Sequence, residues 1–214
     1  MAPFLLNIFC SQPSWLLLFS FLGLLSLIKI TISLLYWTYA FFLRPTKDLK
    51  TTYGSWALVT GSTDGIGKAI AFELAQKNLN LVLIGRNQNK LDTVSTEIQE
   101  EFKNVQIKKV VIDLSGDMHE GIKSLRKAIE GLDVGVLVNC AGSANERPLF
   151  LDKGKMEMWM AMIKVNLEAL TMVTRVVLQG MIERKTGAIL NIGSGSTLAL
   201  PSFPLYAVYA GSKA

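Results

Sequence analysis

Histidine and cysteine are scarce in this chain of 214 residues, which contains one His and two Cys. Structural zinc sites usually need about four Cys or His ligands, so the single histidine, His119, is expected to be a solvated side chain. Cys10 and Cys140 lie on opposite sides of a long apolar segment, which excludes an intrachain disulfide framework. This cysteine usage indicates a reducing, cytosolic setting for the folded part of the chain, and no metal site is expected.

Basic tracts, internal repeats and low-complexity segments are also missing from the sequence. Without a Lys/Arg-rich tract, no nucleic-acid partner is expected. Without self-similarity at a fixed period, a solenoid is excluded. The net charge of +5 instead suits a domain that lies against an anionic membrane leaflet.

Charge is nearly absent from Trp15 to Leu43, where Lys29 is the single charged residue. A transmembrane helix needs about 20 apolar residues, so this run is long enough to span a bilayer. A cleavable signal peptide would have an apolar region of about 7–15 residues behind a basic start, but residues 1–28 contain no Lys or Arg. Residues 1–43 are therefore expected to be an uncleaved membrane anchor, either one tilted span or a re-entrant pair that turns at Lys29.

Basic residues follow the apolar run directly, at Arg44, Lys47 and Lys50. The positive-inside rule therefore places everything after residue 44 in the cytosol. Residues 44–54 are expected to be a short basic linker, and residues 55–214 a single folded domain.

Apolar strands and amphipathic helices alternate through this domain. The predicted strands are 56–59, 79–84, 105–112, 134–138 and 188–192; the predicted helices are 66–77, 89–102, 116–130, 154–184 and one that opens near Tyr206. Nearly continuous apolar strands that alternate with helices are typical of a parallel sheet covered on both faces. The sequence therefore predicts an α/β fold of Rossmann type, a doubly wound parallel sheet that runs as far as the helix after the fifth strand.

A glycine-rich turn follows the first predicted strand and opens the first helix of the domain. Gly61, Gly65 and Gly67 have the spacing Gly-x-x-x-Gly-x-Gly, in the strand–turn–helix context that dinucleotide binding requires. Such glycines allow a tight turn, a close approach of the backbone to a pyrophosphate and close packing of the helix on the strand.

Tyr209 and Lys213 form a Tyr-x-x-x-Lys pattern near the end of the chain. On a helix, residues four apart share one face, so the lysine is expected to make the tyrosine phenol more acidic. A tyrosine that can donate a proton, in the same chain as a dinucleotide-binding turn, indicates ketone–alcohol redox chemistry.

Together these motifs resemble those of the short-chain dehydrogenase/reductase family, from about Ser55 to the end of the chain. The glycine motif matches the family's Thr-Gly-x-x-x-Gly-x-Gly, and Asp113 matches the site after the third strand that contacts adenine. Asn-Cys-Ala-Gly at 139–142 stands where the family has Asn-Asn-Ala-Gly, with Cys140 as the departure. Asn166 matches the asparagine of the long helix.

The resemblance implies a role for each of these residues. Tyr209 would be the proton donor, Lys213 would bind the nicotinamide ribose, and Asn166 would hold a water that relays protons to the lysine. The implied cofactor-binding residues are Gly61, Ser62, Thr63, Asp64, Gly65, Ile66, Gly67, Arg86, Asp113, Asn139, Ala141, Gly142, Tyr209 and Lys213.

Two serines compete for the family's catalytic serine, which would also bind the substrate carbonyl. Counting back from Tyr209 by the family's usual spacing gives Ser196, whereas the strand-end pattern Asn-Ile-Gly-Ser gives Ser194. Ser194 is preferred because a strand end fixes direction better than loop length does, and Ser196 stays open.

The end of the second strand indicates the choice of cofactor. An acid at this place would bind a ribose 2′-hydroxyl and repel a 2′-phosphate, but the chain has Gly85-Arg86-Asn87 and no acid until Asp92. Arg86 offers a permanently charged planar fork suited to phosphate, so NADP(H) is expected.

The apolar anchor joined to these motifs resembles the plant subgroup of the family that reduces very-long-chain 3-oxoacyl-CoA. That resemblance implies a long-chain acyl-CoA substrate, an endoplasmic reticulum membrane location with a cytosolic catalytic domain, and other fatty-acid elongation enzymes as partners. Reduction of 17-ketosteroids, known in the same subgroup, stays open. So does an inactive cofactor-binding fragment, because the family fold continues with two more strands; we expect no turnover from these 214 residues alone.

Overall fold

The computed structural model of the protein describes residues 13–45, 47–198 and 204–214. The chain divides into two compact units, residues 1–47 and 48–214. Cys10, on which part of the cysteine argument depends, lies outside the described residues.

The first unit is helical. Helix α1 spans Ser14–Thr38 and continues into a π-helical turn, Tyr39–Leu43. From Ser14 to Leu43 this helix is long and apolar enough to cross a membrane, with a mean hydropathy of 2.1 over its most apolar 18 residues, none of which is buried. Lys29 lies inside the continuous α1, so the helix does not turn back at that residue.

The second unit begins with a short helix, α2 (Leu49–Tyr53), in the stretch expected to be a linker. Asp48 caps it by accepting a hydrogen bond from the Lys50 N–H at 3.0 Å, as expected of an N-cap residue. Leu49 and Tyr53 pack against one of the two hydrophobic clusters of the unit.

Strands and helices then alternate as predicted, with limits that shift by one or two residues. The elements are β1 (Trp56–Thr60), α3 (Gly65–Gln76), β2 (Asn80–Gly85), α4 (Gln88–Glu101), β3 (Ile107–Val111), α5 (Met118–Ile129), β4 (Val134–Asn139), α6 (Met156–Ile163), α7 (Leu170–Arg184), β5 (Ala188–Asn191), α8 (Gly195–Leu198) and α9 (Ala207–Ser212). A π-helical turn, Lys164–Ala169, joins α6 to α7, so the long helix predicted for 154–184 is continuous but locally widened.

All strand pairs are parallel, in the order β3-β2-β1-β4-β5. The sheet order reverses at β1, which pairs with β2 on one side and β4 on the other. In such sheets the crevice for a ligand opens at this reversal, outside the carboxyl ends of the strands. The prediction of a Rossmann-type parallel sheet is confirmed.

Two hydrophobic clusters cover the sheet, one on each face. In β1, Ala57 and Val59 belong to one cluster and Leu58 to the other, because successive side chains of a strand point to opposite faces. Both faces are buried in β1, β2 and β4, which explains why their sequences are apolar almost throughout. At the edge of the sheet, β5 keeps Ile189 and Leu190 39% and 49% exposed.

Candidate active site

The glycine-rich turn between β1 and α3 has the shape predicted for a phosphate cradle. Gly61 has a φ of +66°, and a Cβ there would lie 2.8 Å from the Ala141 Cα. A Cβ on Gly67 would overlap the carbonyl oxygen of Gly61. Gly65 has a φ of +51°, but a Cβ there would meet nothing within 4 Å. The first and last glycines therefore allow close backbone packing, while the middle one faces open space at the start of α3.

Among the other residues of the turn, Ser62 is buried, Thr63 is half-buried, and Asp64 and Ile66 are exposed. Ser62 is fully buried and donates its hydroxyl to the Ile84 carbonyl at 3.3 Å. Asp64 accepts a hydrogen bond from the Gly65 N–H at 2.8 Å, and Ile66 is exposed. Ser62 thus fixes the turn to β2, and the backbone with the exposed residues forms the solvent-facing side of the turn.

Thr60, the last residue of β1, links this turn to the end of β4. Its hydroxyl oxygen accepts hydrogen bonds from the N–H groups of Cys140 at 3.0 Å and Ala141 at 3.1 Å. The side-chain N–H₂ of Asn139, which is buried, donates to Thr174 and Asn191 at 2.9 Å each. The family-like segment 139–142 is therefore held by β1, α7 and β5 together.

Lys213 follows α9 and reaches the same strand ends. Its Nζ lies 3.1 Å from the Ile192 carbonyl oxygen and 3.5 Å from that of Ala141. A Cβ on Gly142 would lie 3.1 Å from Lys213 Nζ. Burial lowers the pKa of Lys213, against a smaller opposing effect of Cys140, and burial raises the pKa of the Cys140 thiol.

Asn166 lies in the π-helical turn and is 3% exposed. Its side-chain oxygen, Oδ1, accepts a hydrogen bond from the Ser143 N–H at 2.8 Å. Its side-chain nitrogen, Nδ2, donates to the Ser143 carbonyl at 2.9 Å and to the Ser212 hydroxyl at 2.8 Å. Because the Ser212 hydroxyl donates to the Tyr209 carbonyl at 2.9 Å, Asn166 is connected to the helix that carries the tyrosine.

Tyr209 lies on α9 one turn before Lys213, as the spacing predicts. The ring of Tyr206 packs against it edge to face, with ring centroids 6.3 Å apart. The two candidate serines lie at the start of α8, with hydroxyl oxygens 2.9 Å apart. The Ser194 oxygen also accepts from the Ser196 N–H at 3.3 Å, so the geometry brings both serines together and leaves the choice between them a prediction.

Arg86 and Asp113 lie at the carboxyl ends of β2 and β3. Two hydrogen bonds from Ser115, from its hydroxyl and its N–H, lower the pKa of Asp113, and the positive charge of Arg86 adds to this. Arg86 is exposed directly after β2, where it is accessible to a charged ligand.

The predicted residues therefore follow the carboxyl edge of the whole sheet. Arg86 and Asp113 lie on the β2–β3 side, the glycine turn lies at the centre, and Asn166 and Lys213 lie on the β4–β5 side. The cradle that Cβ atoms would fill, and the start of α3 above it, fit an extended dinucleotide with its phosphates at the centre. Ser143, Thr174 and Ser212 were not predicted from the sequence. Ser143 and Thr174 lie outside the motifs, and Ser212 occupies one of the unspecified positions of the Tyr-x-x-x-Lys pattern.

Residues 55–214 match a family model described as short chain dehydrogenase. The chain belongs to the short-chain dehydrogenase family. The resemblance stated from the motifs is confirmed, because the match covers the glycine turn and the tyrosine–lysine pair.

Curated relatives extend the match. The chain is 44% identical over 205 residues to a very-long-chain 3-oxoacyl-CoA reductase-like protein of Arabidopsis thaliana, which covers 95% of this chain and 65% of that protein. It is 45% identical over 163 residues to the human very-long-chain 3-oxoacyl-CoA reductase. This alignment covers 75% of this chain and 50% of the human protein. The chain thus spans one half to about two thirds of the length of these relatives.

Solved structures show the same fold. A 7β-hydroxysteroid dehydrogenase aligns with a TM-score of 0.71 at 28% identity, over 78% of this chain and 62% of that one. A short-chain dehydrogenase from Sphingobium yanoikuyae, solved in complex with NADPH, aligns with a TM-score of 0.66 at 28% identity, over 74% of this chain and 60% of that one.

Proposed function

We propose that the full-length protein is an NADPH-dependent reductase that converts very-long-chain 3-oxoacyl-CoA to 3-hydroxyacyl-CoA in fatty-acid elongation. The observation that carries the proposal is the grouping of Lys213, Asn166 and the Tyr209 helix beside the glycine turn. The names of the Arabidopsis and human relatives support the acyl-CoA substrate.

In this reaction Tyr209 gives its phenolic proton to the substrate oxygen, and Ser194 donates a hydrogen bond to the same oxygen. Lys213, in its charged form, favours the phenolate that remains after proton transfer. Asn166 fixes the loop after β4 and the end of α9 through its bonds to Ser143 and Ser212. Bound NADPH supplies the hydride.

NADPH is proposed over NADH on the charge at the end of β2. Arg86 is exposed there, and a guanidinium can bind a phosphate through two parallel hydrogen bonds. The Sphingobium neighbour contains NADPH, and an L-sorbose reductase from Gluconobacter frateurii, 25% identical, was also solved with NADPH.

An endoplasmic reticulum membrane location, with residues after 44 in the cytosol, completes the proposal. The apolar helix Ser14–Leu43 supports the membrane part, and the basic residues after it support the orientation. Protease treatment of sealed microsomes tests the orientation: the folded unit should be digested without detergent. A folded unit that is protected until detergent is added would contradict it. Other elongation enzymes are the proposed partners.

The substrate is tested by expressing the full-length gene product in microsomes with NADPH and long-chain 3-oxoacyl-CoA. Tyr209→Phe should lower turnover by about 10²–10⁴-fold, the usual contribution of a general acid. Tyr53→Phe removes a phenol before β1, at the opposite edge of the sheet, and should keep full activity. Equal activity of wild type and Tyr209→Phe would reject the proposed mechanism.

Reduction of a ketosteroid is the second candidate, since a hydroxysteroid dehydrogenase is among the solved structures that the chain resembles. The acyl chain of the one ketone and the ring system of the other are both apolar and favour the membrane, so the anchor does not separate them. Microsomes with a 17-ketosteroid form the second arm of the same experiment. Turnover of the steroid alone would replace the acyl-CoA proposal.

A further inference from the structure

The loop after β4 contains an asparagine whose side chain reaches the segment in front of the catalytic helix. Asn145 is 5% exposed. Its amide nitrogen donates to the Arg147 carbonyl at 2.7 Å and to the Leu205 carbonyl at 3.1 Å. These two acceptors fix which end of the amide faces them, because only the nitrogen can donate.

The Leu205 carbonyl is held from a second direction as well. The N–H of Leu149, in the same loop, donates to it at 3.1 Å. The loop 145–149 therefore contacts the peptide that joins Leu205 to Tyr206 with one buried side chain and one backbone group.

This peptide stands directly before α9. Tyr206 is the residue that precedes the first turn of the helix, and its ring packs edge to face on the ring of Tyr209. A shift of the Leu205 carbonyl would therefore move the ring that supports the Tyr209 ring. The carboxyl end of α9 is held by two other hydrogen bonds. The Asn166 side chain donates to the Ser212 hydroxyl, and Lys213 Nζ donates to the Ile192 carbonyl.

We propose that Asn145 is a positioning residue for Tyr209: it holds the start of the catalytic helix, through the Leu205 carbonyl, at the angle that proton donation requires. The inference rests on the proposed ketone reduction for its effect on turnover. Its effect on the helix does not depend on the substrate. Reacting groups that are misplaced by about 1 Å can lose about 10²-fold in rate, so the predicted loss is in kcat.

Two variants test this inference in the full-length protein. Asn145→Leu keeps the branching at Cγ and removes both donated bonds, while the Leu149 N–H still satisfies the Leu205 carbonyl. Asn145→Asp keeps the shape but turns a carboxylate oxygen toward two carbonyl oxygens. Each should lower kcat per NADPH-binding site by about 10–100-fold, with the dissociation constant of NADPH and the KM for the ketone unchanged. Glu146→Gln, an exposed neutralisation in the same loop, is the control and should keep full kcat.

A second readout is independent of the substrate. Amide hydrogen exchange of residues 205–213 should be faster in either variant than in wild type, because exchange reports local opening. Unchanged exchange and unchanged kcat in a variant that folds and binds NADPH would overturn the inference. A kcat that falls only in proportion to lost NADPH binding would also overturn it. Faster exchange in a protein whose wild type reduces neither ketone would support the inference and reject the proposed function.

Discussion

The two halves of the sheet, β1 to β3 with the glycine turn (the cofactor side) and β4 to β5 with α9 (the catalytic side), are stabilised by different contacts. On the cofactor side, β1 and the residues of β2 after Asn80 are buried on both faces, and the turn depends on glycines that allow close backbone packing. On the catalytic side, β5 is largely exposed and α9 is a short helix of residues 207–212. Every buried asparagine in the part of the chain that the structure describes lies on this second side, namely Asn139, Asn145 and Asn166.

This difference teaches that the same kind of substitution should act differently on the two sides. Filling a close backbone contact on the cofactor side should disturb packing, and with it stability and NADPH binding. Removing a single hydrogen bond on the catalytic side should leave the core intact and change the position of a reacting group. The predictions below test that contrast, from the largest expected effect to the smallest.

Among the predictions that test this contrast, the proposed catalytic serine should give the largest effect. Removing a donor that stabilises developing negative charge on the substrate oxygen lowers kcat by about 10²–10³-fold, so Ser194→Ala should show such a loss with NADPH affinity unchanged. Ser196→Ala is the matched control, since its hydroxyl lies 2.9 Å from that of Ser194. Steady-state kinetics and NADPH fluorescence titration measure the two quantities. A large loss for Ser196→Ala instead would transfer the role, and mild losses in both would reject a serine at this place.

The glycine turn should show the opposite pattern. Gly67→Ala places a methyl group against the Gly61 carbonyl oxygen, and overpacking of this kind costs about 1–3 kcal/mol. The expected result is weaker NADPH binding, by about 10–100-fold if that strain falls on the bound state. Gly23→Ala, in α1, adds a methyl that meets nothing within 4 Å and is the control. Isothermal titration with NADPH checks the prediction, and an unchanged affinity would contradict the expected link between packing in the turn and NADPH binding.

Arg86 should set the preference between the two nicotinamide cofactors. Arg86→Asp replaces the proposed phosphate-binding residue with an acid that repels phosphate and suits a ribose 2′-hydroxyl, so the ratio of NADPH to NADH affinity should fall by about tenfold or more. Arg126→Asp makes the same charge change on the exposed last turn of α5 and should leave the ratio unchanged. A wild-type protein that prefers NADH would contradict the interpretation of the β2 end.

A smaller effect is expected at the amino-terminal ends of the strands, where the residue before β1 contacts the residue before β4. Asp133 lies just before β4, and Ser55 lies just before β1. The Asp133 carboxylate accepts one hydrogen bond from the Ser55 N–H at 2.7 Å and another from the Ser55 hydroxyl. Burial is the largest single effect and raises the pKa of Asp133, but the two hydrogen bonds from Ser55, one from its own N–H and the positive charge of Arg184 together outweigh it, so the pKa is lowered overall. Asp133→Asn should therefore lower the free energy of unfolding by about 1 kcal/mol at neutral pH.

The pH dependence of this effect has a definite sign. A carboxylate whose pKa is lowered by folding stabilises the protein above its unfolded pKa of about 3.9, and this contribution is lost as the pH falls through the lower folded value. Urea unfolding of the detergent-solubilised protein should show wild type and Asp133→Asn converging below about pH 4. A difference that stays constant down to pH 2 would show that the carboxylate charge is not responsible.

Much of the fold could be predicted because its signals are local. Nearly continuous apolar runs located β1, β2 and β4, and helical spacing located α4. The π-helical turn at Lys164–Ala169 could not be predicted, since the residues there continue the same helical pattern. The limits of β3 were set too wide, because Val105 and Ile112 are buried as strand residues would be but lie outside the ladder.

The sequence by itself determined the elements whose geometry depends on neighbouring residues. The glycine turn follows from backbone freedom at Gly61 and Gly65, the tyrosine–lysine pair from helical spacing, and the length and polarity of α1 from its composition. Only the tertiary structure decided how α9, the helix that contains Tyr209, is held. Lys213 bonds to Ile192, Asn166 to Ser143 and Asn145 to Leu205, over separations of 21, 23 and 60 residues. Each acceptor is a backbone carbonyl, a group that every residue carries, so the folded path of the chain and not the residue type selects which one is used.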